Sequence, residues 1–232
     1  MLDFPKPSEA PGLYNSSASG ASAFYSRRLS QMQYLGVVYQ YSRSLAHPLN
    51  SQSETQTNAF LPFYTLYLNR TISLSLSGGP QHYSADQSNL PASGSWSPEV
   101  TASIGWQKNH VDLAGSYSRF VSGGGGLLGA FTSNLVNASV RWRMTRTLTL
   151  ESAGLYTRLT NATPLLPAST PGGRTTTGTI SLQRAFGEHF SVLGGYDRLH
   201  EGYAGLTEIS SAPDSDRVFV SITYQFTRPI GR

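Results

Sequence analysis

Residues 217–226 limit what this chain can fold into more than any other stretch. Val218, Val220, Ile222, Tyr224 and Phe226 occupy every second position, and Arg217, Ser221, Thr223 and Gln225 fill most of the gaps. Successive side chains of a strand point to opposite faces, so this segment has one apolar face and one mostly polar face. The pattern recurs. Ile72, Leu74 and Leu76 alternate with Ser73, Ser75 and Ser77. Val136, Ala138, Val140, Trp142 and Met144 alternate with Asn137, Ser139, Arg141 and Arg143. No run of about 18 apolar residues exists, so no transmembrane helix is expected.

Eleven alternating segments are visible. Short turns are expected at 29–32, 69–71, 107–110, 145–147 and 187–189. Longer polar stretches are expected at 47–56, 78–93, 123–126, 160–174 and 199–215. Short and long connections alternate, the rhythm of an all-β, antiparallel up-and-down transmembrane β-barrel. Register supports the hairpins. If Met144 faces Leu148 across its turn, Trp142 faces Leu150 and Arg141 faces Glu151. The apolar pairs then share one face and the ion pair the other, an agreement that a one-residue slip destroys. Pro62 sits inside the segment 58–68, and a strand tolerates proline only at an edge or bulge.

Composition agrees with the pattern. Charged residues make up 13% of the 232, and Tyr and Phe number 13 and 10. That charge is about half the globular norm. Small lumen-facing residues and aromatic girdles account for both biases. The competing architecture is a secreted β-sandwich. There is no cysteine, hence no disulfide framework or thiolate chemistry. The net charge of +4 is dispersed, and Lys occurs only at Lys6 and Lys108. No nucleic-acid footprint follows.

Residues 1–17 read as a loop or linker broken by Pro5, Pro7 and Pro11, residues 18–227 as the barrel, and 228–232 as a short tail. The N-terminal stretch lacks the apolar core of a signal peptide. Eleven strands is odd, whereas bacterial single-chain barrels usually have an even number. The expectation is therefore the C-terminal part of a barrel of twelve or more strands, with an export signal upstream.

The run Val220-Ser221-Ile222-Thr223-Tyr224-Gln225-Phe226 resembles the C-terminal strand signature of Gram-negative, porin-like outer-membrane β-barrel proteins. The resemblance implies the bacterial outer membrane, contact with its lipid, and recognition by the barrel-assembly machinery. It departs from that signature in one respect: residues 227–232 follow the aromatic.

Arg141, Arg143, Glu151, Asp112 and Asp197 are expected to face the lumen. They form either a charged, selective constriction or the paired polar filling of a narrow barrel. Tyr39, Trp106, Trp142, Tyr156, Tyr224 and Phe226 suit interfacial girdles, where an amphipathic ring sits between lipid and water. His47, His82, His110, His189 and His200 show no metal-ligand spacing. No nucleophile elbow is present, and the glycines at 123–126 lack the Lys-Ser/Thr of a phosphate loop. No catalytic group, cofactor or metal is expected. The functional expectation is a passive channel or the barrel of an envelope export system. The other reading is a non-conducting scaffold whose outer loops bind a surface partner or glycan.

Overall fold

The computed structural model describes residues 15–47, 53–87, 90–124, 127–162, 172–187, 189–204 and 214–225. They form eleven strands. These are β1 (Asn15–Ser30), β2 (Gln33–His47), β3 (Ser53–Tyr67), β4 (Ile72–Gln87), β5 (Leu90–Lys108) and β6 (Val111–Gly124). The remainder are β7 (Leu127–Arg143), β8 (Leu148–Asn161), β9 (Gly172–Phe186), β10 (Phe190–Ala204) and β11 (Asp214–Tyr224). All lie in one sheet in chain order, each antiparallel to the next. Among the described residues β1 and β11 each pair on one side only.

The register follows the alternation. Trp142 faces Leu150 and Arg141 faces Glu151. The strands are longer than expected at their loop ends. Residues 78–87 and 90–93, expected as loop, continue β4 and β5. His47 closes β2, and Ser53 to Gln56 open β3. Residues 15–17, expected as loop, open β1. The expected loops 160–174 and 199–215 likewise shrink, because their first and last residues belong to strands. Ladder hydrogen bonds carry these Ser-, Thr- and Gly-rich ends without any apolar pattern, and a pattern-based reading therefore stops short of them.

Pro62 is inside β3, paired with Val37 of β2. On its other side the β3–β4 ladder stops after the Ala59–Gln81 pair and resumes at Phe63–Ser77, in the same register. Pro62 and Pro80 supply no N–H there, so the ladder skips rather than bulges. Two short turns are built by side chains. Asn69 Oδ1 accepts from the N–H groups of Thr71 and Ile72, both at 2.8 Å. Thr145 Oγ1 accepts from those of Thr147 and Leu148 at 3.3 and 3.1 Å. These are Asx- and ST-type turns, in which a short polar side chain replaces a backbone acceptor.

One face of the sheet is apolar and uncovered. Leu76, Ile104, Val140, Ile180, Val220 and Ile222 all stand on it exposed. In water such a continuous apolar face is untenable; hydrocarbon is the medium that covers it. Each strand has 11 to 19 residues, and a tilted transmembrane strand needs only about 9–11. The sheet therefore rises beyond a bilayer at the loop end. Leu76→Arg, placed on the uncovered face, is expected to lower unfolding stability in lipid vesicles by about 2–4 kcal/mol. Urea titration followed by tryptophan fluorescence measures it.

Candidate functional site

The opposite face is the inner one, because strands far apart in sequence meet across it. Hydroxyl pairs line it. Ser42 and Thr57 approach to 2.7 Å, Thr65 and Ser75 to 3.0 Å, and Thr101 donates to Ser118 at 3.2 Å. Each pair spans two neighbouring strands at inward positions, where alternation leaves a small polar residue. Such groups hydrogen-bond one another and keep capacity for water.

Arg141, Glu151, Asp112 and Arg143 cluster near the short-turn end. Arg141 Nε lies 3.1 Å from Glu151 Oε1, and Arg143 Nη2 lies 3.8 Å from Asp112 Oδ1. Arg143 also donates to the carbonyl of Asn109 at 3.0 Å. Two cations and two carboxylates balance, so this patch carries little net field. Both members of the Arg141–Glu151 pair are about half exposed, and such a pair contributes roughly 0–1 kcal/mol. Asp197 is apart from them, on β10 opposite Arg217 of β11.

The aromatic residues are on the uncovered face. Trp106 stands level with Ile72 and Leu113, and Trp142 level with Leu150. Tyr39, Trp142, Tyr156 and Tyr224 are exposed; Phe226 lies outside the described residues. A repeated contact appears toward the loop end. Tyr39 donates to Asn58 Oδ1 at 2.9 Å, Tyr117 to Asn134 Oδ1 at 3.0 Å, and Tyr196 to the Asp216 carboxylate. Each tyrosine is the seventh residue of β2, β6 or β10, and each acceptor is on the next strand, two positions nearer the loops. The rings thus keep apolar bodies toward the sheet centre and hydroxyls toward the loop end, as a belt residue requires.

Pattern reading missed the feature that shapes the inner face. At the loop end β5 pairs with β6 only from Val100 downward, so the upper β6–β7 hairpin is released from its neighbour. It folds inward across the sheet. Gln81 of β4 holds it: its Nε2 donates to the Val121 carbonyl at 2.9 Å, and its Oε1 accepts from the Val121 N–H at 2.6 Å. One carboxamide thereby replaces two ladder bonds of the missing β5 partner. Tyr83 donates to the carbonyl of Ala162 at 2.8 Å. Tyr83, Ala85, Val121 and Ala130 are packed together and buried, with Phe131 completely inaccessible to solvent. A Cβ on Gly123 would come within 2.6 Å of Ser44 Cβ, so only glycine lets the hairpin reach β2. Gln81 and Tyr83 fall in the stretch expected as loop, behind Gly78-Gly79-Pro80, and no local pattern announced their role.

Beneath the hairpin lies a cavity of about 500 Å³. Ser22, Gln40, Ser42, Thr57, Thr101 and Ser118 line it, with Gln81 and Val121 above. Glu99 of β5 is also in its wall and is only 7% exposed. Alternation alone places Glu99 inward, since Val100, Ala102 and Ile104 of the same strand define the outward parity. That signal was available in the sequence.

Outside this region, Arg43 and Glu54 join β2 to β3 four residues beyond Tyr39. The guanidinium meets the carboxylate through Nε and Nη2, both at 2.7 Å. Hydrogen bonding to Arg43, aided by Gln56, holds the Glu54 carboxyl below its usual range.

The fold is similar to a solved structure of the FrpB iron transporter from Neisseria meningitidis (F3-3 variant). The TM-score is 0.69 at 10% identity, over 92% of this chain and 41% of that one. This chain thus spans about two-fifths of the length of that structure. Further matches are a NanC porin structure (TM-score 0.42, 10% identity, 91% of this chain and 99% of that one). The translocator domain of autotransporter NalP from Neisseria meningitidis also matches (0.42, 13%, 91% and 82%). No protein-family model matches the chain, and no curated protein sequence does. The FrpB likeness agrees with the antiparallel up-and-down barrel wall read from the alternation.

Gln81→Ala is expected to leave the Val121 N–H and carbonyl without their partner, at about 1–3 kcal/mol. Hydrogen exchange at the Val121 amide should accelerate roughly 10- to 100-fold, while amides in the β9–β10 ladder stay unchanged. For Glu54 the folded pKa lies below the unfolded one. Its contribution is full above the ordinary carboxylate pKa and lost as pH falls through the lowered folded value. Glu54→Gln should therefore cost stability at pH 7 and flatten the acid limb of a pH-dependent unfolding series.

Proposed function

We propose that this protein is an outer-membrane β-barrel that conducts small hydrophilic solutes passively. The carrying observation is the contrast between the two faces. The outer one exposes Leu76, Ile104, Val140 and Ile222, whereas the inner one presents the hydroxyl pairs and the cavity beneath the inward hairpin. A wall that is apolar outside and wettable inside is what a water-filled barrel needs. The β6–β7 hairpin forms the constriction, held by Gln81. The compensated Arg141–Glu151 and Arg143–Asp112 pairs serve as polar filling rather than as a selective charge ring. Closure of the barrel requires partners for the outer edges of β1 and β11, because unsatisfied backbone groups in hydrocarbon cost several kcal/mol each.

The β11 alternation at Val218, Val220, Ile222 and Tyr224 supports recognition by the barrel-assembly machinery and residence in the bacterial outer membrane. The test is planar-bilayer recording of the refolded chain, checked for a heat-modifiable band on SDS gels. Discrete conductance steps are expected, and Gln81→Ala should enlarge them by loosening the constriction. A stable barrel with no conductance in either form would remove the channel reading and favour the loop-bearing scaffold.

A further inference from the structure

We infer that the cavity under the β6–β7 hairpin is a binding site for a small organic cation, one carrying an ammonium group among several hydroxyls. The inference deepens the channel reading, because it places a selective site in the proposed lumen.

Glu99 carries it. The residue is 7% exposed and borders the cavity. Among the described residues no Lys, Arg or His pairs with it, and no hydrogen bond to its carboxylate is formed. The inner carboxylates of the lower patch differ, since Glu151 and Asp112 each lie near an arginine. A carboxylate partly withdrawn from bulk water with no counter-charge beside it is costly. A cation entering the cavity removes that cost.

The rest of the wall defines what accompanies the charge. Ser22, Gln40, Ser42, Thr57, Thr101 and Ser118 come from five strands and surround the space with hydroxyls and a carboxamide. Ser42 is paired with Thr57 and Thr101 with Ser118, yet each hydroxyl retains a further lone pair or proton for a ligand. These groups suit a polyhydroxylated molecule. Phe120 adds an apolar surface on one side, the kind that accepts the flat face of a sugar ring. The volume of about 500 Å³ falls in the range of roughly 300–1,000 Å³ of small-ligand sites. An amino sugar combines the required features: one ammonium, several hydroxyls and a compact ring.

The test is calorimetric titration of the refolded full chain in detergent micelles, separate from any conductance measurement. Glucosamine is the probe, with glucose, glucuronate and N-acetylglucosamine compared at matched ionic strength. One glucosamine per chain is expected to bind at least tenfold more tightly than the other three. Glu99→Gln should erase that preference, while Glu99→Asp keeps it at reduced affinity. Equal binding of glucosamine and glucose, or undiminished preference in Glu99→Gln, would overturn the site. So would no binding beyond that of matched sodium chloride. If Glu99→Gln does not refold, the wild-type comparison of glucosamine with N-acetylglucosamine decides alone. Binding without conductance would keep the site and reject the channel; conductance without binding would do the reverse.

Discussion

The constraint on which everything else rests is the two-residue period of a strand whose backbone is fully laddered to its neighbours. Once the ladder is formed, each residue is committed to one face, and a register slip of one position exchanges the faces. Here that would place Arg141 and Glu151 on the side of Trp142 and Leu150. The cross-strand pairs that are observed, Trp142 with Leu150 and Arg141 with Glu151, are consistent only with the register adopted. Apolar alternation, ladder and ion pair specify the same hairpin.

The two faces then obey different physics. On the outer face, side chains need only be apolar, and rings with a polar tip settle where hydrocarbon meets headgroups. The tyrosines of β2, β6 and β10 each hold a hydroxyl toward the loop end through an Asn or Asp. On the inner face, cost is governed by polar satisfaction. Hydroxyls pair with hydroxyls and arginines with carboxylates. Where β5 parts from β6, the side chain of Gln81 satisfies the exposed backbone of Val121. With that carboxamide in place of a strand, the wall carries an inward hairpin with a cavity beside it.

How much was legible follows from the range of the interactions. The eleven strands, their order and the faces of Trp106, Trp142, Tyr156 and Ile222 are written locally. They depend on near neighbours and on hairpins a few residues long. The upper strand ends were not legible, because Ser, Thr and Gly there show no alternation of hydropathy even though they are laddered. Alternation puts Arg141, Arg143, Glu151 and Asp112 of the lower charge cluster on one face. Its division into two compensated pairs was only half foreseen: Arg141 with Glu151 follows from register, whereas Arg143 with Asp112 is a diagonal contact that depends on rotamers.

The sequence by itself determined the fold class, since periodicity decides which side chains share a face whatever the distant parts of the chain do. It also determined that Glu99 points inward, by parity with Val100 and Ile104. Only the tertiary structure decided that Glu99 is buried with no counter-charge among the described residues, and that Gln81 clasps a strand forty residues away. Both depend on β6 and β7 leaving the wall and crossing the inner face. A choice between two placements of a hairpin rests on long-range contacts at Gly123, Tyr83 and Val121. No short window of sequence encodes those contacts.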